Sequence, residues 1–114
     1  MNQHIMYKFR LYIADGVQNS AQAVSNLTAL CQAHLPDRHE IEVVDVFREP
    51  KRALADRILM TPTLVKVEPS PIRRVIGTLS QTQPVLQALG LETLATLLRR
   101  DQQLLMMKTM KFPR

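Results

Sequence analysis

The chain has 114 residues, with one cysteine, no tryptophan, three phenylalanines and two tyrosines. A lone thiol, Cys31, excludes an intrachain disulfide and any cysteine-based metal cluster. It falls between Leu27 and Leu35 at an apolar helical position, which predicts a buried thiol acting as a small hydrophobe. Scarce aromatics remove the stacking platform that single-stranded nucleic-acid binding uses. No apolar run is long and uncharged enough to cross a bilayer. Met1-Asn2-Gln3-His4 lacks the basic-then-apolar layout of a secretory signal, so a cytoplasmic location and no membrane partner are expected. Catalytic sets are missing too. Ser20, Ser25, Ser70 and Ser80 lack a Gly-x-Ser-x-Gly setting, and nothing resembles a phosphate loop. His4, His34 and His39 lack the spacing of a helical metal pair and are expected at the surface. This reads as a non-enzyme without cofactor or small-molecule substrate.

What is present begins with charge. The formal net charge is +5, and Arg99, Arg100, Lys108, Lys111 and Arg114 stand against Asp101 alone near the end of the chain. The body is therefore close to neutral and the tail basic. Without stacking aromatics, such a tail does not by itself predict specific nucleic-acid binding. The expected organisation is one domain over residues 1–100 and a basic, flexible tail over 101–114.

Residues 5–13 alternate, with Tyr7, Phe9, Leu11 and Ile13 on one face and Lys8, Arg10 and Tyr12 on the other, which predicts a strand with one face in a core. Asn19 and Gln22 have capping-box spacing, and Val24, Leu27, Leu30, Cys31 and Leu35 follow at helical spacing, predicting a helix over 20–34. The apolar run 41–47 predicts a central, parallel strand, in which Asp45 is either a perturbed acid in thioredoxin style or, the favoured reading, a strand-end carboxylate hydrogen-bonded to backbone. A short helix follows from Pro50 through Ile58. Residues 63–68 and 72–77 read as two strands divided by Pro69-Ser70-Pro71 and ended by Gly77. A last helix opens at Pro84, with Val85, Leu86, Leu89, Leu94, Leu97 and Leu98 on its apolar side and Gly90 inside it.

The order strand, helix, strand, helix, hairpin, helix is that of thioredoxins. Met60-Thr61-Pro62-Thr63-Leu64-Val65 resembles the thioredoxin segment whose proline follows a bond that is often cis. In redox thioredoxins that proline faces a Cys-x-x-Cys pair. The matching loop here, Asp15-Gly16-Val17-Gln18-Asn19-Ser20, has no cysteine. An oxidoreductase relic would have to use Cys31.

From Phe9 to Leu79 the chain resembles the KaiB family. The densest match is Ile58-Leu59-Met60-Thr61-Pro62-Thr63-Leu64, then Lys66-Val67, then Pro71-Ile72-Arg73-Arg74-Val75-Ile76-Gly77. Leu11-Tyr12-Ile13-Ala14, Asn19-Ser20, Val43-Val44-Asp45-Val46 and Pro50 also fit. The resemblance implies an α/β, thioredoxin-like KaiB fold with an N-terminal βαβ and a C-terminal half that adopts either of two packings. It implies a non-enzymatic regulator that binds a KaiC-like hexameric ATPase in circadian or stress timing and self-associates as a dimer or tetramer. With it, Arg57, Lys66, Arg73 and Arg74 become the expected partner-binding residues, and Pro62, Pro69, Pro71 and Gly77 the fold-determining ones. The alternative is a thioredoxin-fold adaptor or sensor module of a signalling kinase, without redox activity. The chain departs from the family at Asp15-Gly16-Val17-Gln18, at Thr78, at Glu42 (a reversal of an expected basic residue) and in its basic tail.

Overall fold

Alternation along β1 (Tyr7–Ile13) buries both of its faces. Phe9 and Leu11 turn into a core with Leu27, Leu30 and Cys31 of α1 (Gln18–His34) and Leu86 and Leu89 of α3 (Thr82–Leu89). Tyr12 turns the other way into a second core with Val44, Ala53 and Val65. The face expected to be polar is therefore covered, and only Lys8 and Arg10 on it keep partial exposure. Each large side chain sealed in this way contributes roughly 1.5–3 kcal/mol by leaving water. These positions belong to a computed structural model that describes residues 5–91.

A single four-stranded sheet runs in the order β2-β1-β3-β4. β1 pairs in parallel with β2 (His39–Asp45) and antiparallel with β3 (Thr63–Glu68), which pairs antiparallel with β4 (Arg73–Ile76). α1 provides the crossover between the two parallel strands. α2 (Pro50–Ala55) brings Ala53 to the second core. The mixed α/β class and the thioredoxin element order expected from the sequence are both present.

Several boundaries differ from the sequence expectation, each for a local reason. β2 is parallel but lies at a sheet edge rather than at the centre, and Val46 and Phe47 fall beyond it. An apolar run marks burial on two faces, but Val43 and Phe47 are spent at the surface. α1 begins at Gln18 with Val17 as N-cap and no side-chain cap, so Asn19 lies inside the helix. The nearby hydroxyl that forms a bond is Ser20 Oγ, which accepts the Ala14 N–H at 3.0 Å. α2 stops at Ala55 instead of reaching Ile58, because Arg57 adopts a left-handed φ of 56°. α3 closes at Gly90, which is its left-handed C-cap (φ 77°) and not an interior residue. Its N–H reaches the carbonyls of Gln87 and Leu86. The helical positions expected at Leu94, Leu97 and Leu98, and the tail over 101–114, lie outside the described residues.

Candidate interaction surface

Two clusters of charge flank the sheet, and they differ in how they are neutralised. On the α2 side, β1 and β2 set Arg10 directly across from Glu42. Arg10 Nε donates to Glu42 at 3.2 Å and its Nη1 to Asp56 at 3.0 Å. From α2, Arg52 donates to both carboxylate oxygens of Glu42, at 2.7 and 2.8 Å, and to Glu49 at 3.2 Å. The buried Tyr12 hydroxyl donates to Asp56. Arg52, and then Arg10, holds the Glu42 carboxyl down to about 2. The Tyr12 hydroxyl, then Arg10, likewise lowers Asp56. Burial, with the Asp56 carboxylate beside it, raises the Tyr12 phenol. The reversed residue Glu42 is thus the hub that ties α2 to the sheet.

On β3 and β4 the cations have no such partners. Arg57, Lys66, Arg73 and Arg74 come within ion-pair distance of no carboxylate among the described residues. Arg74 lies across from Val65 on the α2 side and donates to the carbonyls of Asp56 and Arg57, closing the end of α2. Arg57 is exposed beside it. Arg73 pairs with Lys66 on the opposite face. The structure therefore brings Arg57 and Arg74 together and separates them from Arg73. It also removes Lys66 from the surface: this residue is 4% exposed, with its ammonium 6.0 Å from the Tyr7 ring centroid. Burial, and then Arg73, lowers its pKa. In this packing the Lys66 stem is covered and only its ammonium tip reaches solvent.

Around the exposed arginines lie Leu54, Leu59, Met60, Ile72 and Ile76, all exposed. Leu59 is 93% exposed, more than any other large apolar residue among those described. Large apolar side chains left in water beside unneutralised arginines suit an interaction surface better than a solvated one. Sequence reasoning found the cations and missed these apolar residues, because the run Ile58-Leu59-Met60 looks the same whether it ends a helix or leaves one. Pro62 is buried at the head of β3 after a cis bond, as expected, and the bonds before Pro69 and Pro71 are also cis. Gly77, at φ 119°, ends β4 and donates its N–H to the Pro62 carbonyl at 3.0 Å.

Near Pro62 in the thioredoxin plan, the first βα loop bounds an open cavity of about 610 Å³ lined by Ile13, Asp15, Val17, Ser20 and Val24. It holds no thiol. Cys31 is fully buried in the last turn of α1, and burial pushes its thiol up to about 12. Burial and the raised pKa both work against thiolate chemistry at neutral pH. Asp45 accepts the Phe47 N–H at 2.9 Å, the backbone bond expected of it. His34 and His39 are half-buried instead of fully exposed, and His39 Nδ1 donates to the Leu35 carbonyl at 2.7 Å. Among the described residues no group of acidic, histidine or cysteine side chains could hold a metal, and no helix is long and apolar enough to cross a membrane.

The sequence matches the KaiB domain over residues 10–91. The chain belongs to the KaiB family. It is 43% identical to the circadian clock protein KaiB3 of Synechocystis sp. over 83 residues, covering 73% of this chain and 79% of that protein. It is 38% identical to the circadian clock oscillator protein KaiB of Synechococcus elongatus over 91 residues, covering 80% of this chain and 89% of the relative. Among solved structures, the N-terminal domain of Synechococcus elongatus SasA superposes with a TM-score of 0.62 at 21% identity, over 75% of this chain and 84% of that one. Yeast mitochondrial thioredoxin 3 superposes with a TM-score of 0.61 at 17% identity, over 75% and 78% of the two chains. At these identities the structural likenesses establish the thioredoxin-like fold alone. Membership of the KaiB family rests on the sequence, whose match takes in all seven elements except the first residues of β1.

Proposed function

We propose that this chain is a non-enzymatic, cytoplasmic regulator in a circadian or stress-timing system, binding a KaiC-like hexameric ATPase and modulating its activity or phosphorylation. The observation that carries the reading is 38–43% identity to circadian clock KaiB proteins across most of the domain. Two features are consistent with it. The loop that does redox work in thioredoxins has no thiol, and the β3–β4 flank displays Arg57, Arg73 and Arg74 beside exposed apolar side chains. Guanidinium groups with no carboxylate partner among the described residues suit an acidic partner surface.

The test is co-elution of the full chain with a KaiC-like ATPase, repeated with Arg73→Glu/Arg74→Glu. Loss of co-elution in the variant supports the assigned surface, and unchanged elution rejects it. The same reading includes self-association and a second packing of the C-terminal half. Mass measured over a dilution series checks the first. Two slowly exchanging sets of amide signals over residues 59–90 would support the second, and one set at every temperature and dilution would count against it. The adaptor reading rests on fold likeness only and makes the opposite forecast, of no binding to the ATPase.

A further inference from the structure

We propose that the outer edge of β4 takes up an extended acidic segment of a partner protein as a fifth strand of the sheet. The proposal deepens the partner-binding reading above and rests on it for the location of the surface. Among the described residues β4 is the last strand of the sheet, and one row of its backbone groups has no strand partner there. Gly77 N–H donates inward to Pro62 O, and bonded pairs alternate along an antiparallel ladder. Val75 and Arg73 therefore bond to β3, and the N–H and C=O groups of Arg74 and Ile76 point outward.

Side-chain chemistry then selects the occupant. Arg73 and Arg74 project to opposite faces of the strand, exposed and without carboxylates among the described residues. Ile72 and Ile76 flank them at 65% and 60% exposure. Charged residues on an edge often serve to keep other strands away. Two largely exposed isoleucines on the same edge work against that purpose. A second copy fits poorly. Two β4 edges would set arginine against arginine, which is destabilising for directly opposed charges. The β2 edge of another copy offers Glu42, which Arg10 and Arg52 already hold, and the exposed Glu40, which could face Arg74 but would leave Arg73 opposite His39 or Ile41. An antiparallel guest would read, from its N-terminus, apolar, any residue, acidic, acidic, apolar, facing Ile76 through Ile72 in turn. Main-chain bonds supply affinity in this mode and the side chains supply selectivity.

The experiment is amide hydrogen exchange on the full ¹⁵N-labelled chain at low salt, with a synthetic peptide containing Val-Thr-Glu-Glu-Val and a counterpart containing Val-Thr-Gln-Gln-Val. The expected result is that the acidic peptide slows exchange at Arg74 and Ile76 by about tenfold or more. The glutamine peptide has no such effect, and Arg73→Gln, folded by its amide spectrum, loses most of the protection. Four results would overturn the proposal: no protection with millimolar peptide, equal protection by both peptides, protection on β2 instead, or protection that grows with protein concentration alone. The peptide experiment uses no ATPase. Its failure leaves the ATPase reading standing, and a failed co-elution leaves the peptide result standing.

Discussion

The flank built from β1, β2 and α2 and the flank built from β3 and β4 share one sheet but treat charge in opposite ways. Residues 5–56 carry six basic and seven acidic side chains, and four of the six, Lys8, Arg10, Arg48 and Arg52, reach a carboxylate. Residues 57–91 carry four basic side chains and only Glu68, which pairs with Lys8 across the sheet. The first flank uses charge to hold its own elements together. The second leaves charge for something else. The difference separates residues whose loss costs stability from residues whose loss costs recognition, and five substitutions test that division.

Tyr12→Ala should do the most damage, about 3–5 kcal/mol, because it empties the second core and strips Asp56 of its hydroxyl donor. Urea denaturation reads this directly, and a loss below about 1 kcal/mol would mean that the α2 face is not a true core. Arg10→Met should cost about 2 kcal/mol, since it leaves Glu42 and Asp56 with fewer charged hydrogen bonds. This network also has a pH signature. The folded Glu42 carboxyl is depressed to about 2, so its contribution is fully present above the ordinary carboxylate range, near pH 4.3, and is lost as pH falls towards 2. Arg52→Met, which removes the main cause of that depression, should flatten the acid limb of the stability curve. An unchanged limb would assign acid sensitivity elsewhere.

Lys66→Met should act in the other direction and stabilise by about 1 kcal/mol, because a largely desolvated ammonium near Arg73 has no compensating carboxylate among the described residues. A measured loss would show that its contact with Tyr7 outweighs its desolvation. Arg73→Glu should change stability least, within about 0.5 kcal/mol, while abolishing capture of an acidic partner. If it unfolds the protein, the contrast between the two flanks fails.

Element types were legible along the described chain because its periodicities are strong. Phe9 and Leu11 mark the main core, and Pro50 and Gly77 mark one helix start and one strand end. What escaped was whatever depended on a distant partner. Nothing local to Tyr12 says that α2 will cover it. Nothing local to Val43 says that β2 will have a neighbour on one side only. Gly90 was visible as a helix-weakening residue, but whether it interrupts or terminates α3 depends on its φ. Of the partner-binding candidates, Arg57, Arg73 and Arg74 came from family resemblance and are exposed as that role requires. Lys66 came from the same source and lies inside, because strand alternation places it on the face that α1 and α3 cover.

The position of Cys31 has a practical consequence. A sole thiol sealed beneath α1 and held protonated will not compete for maleimide dyes under native conditions. A cysteine introduced at an exposed position such as Gln22 or Lys51 could then carry a fluorophore alone, and the wild-type core would need no prior substitution.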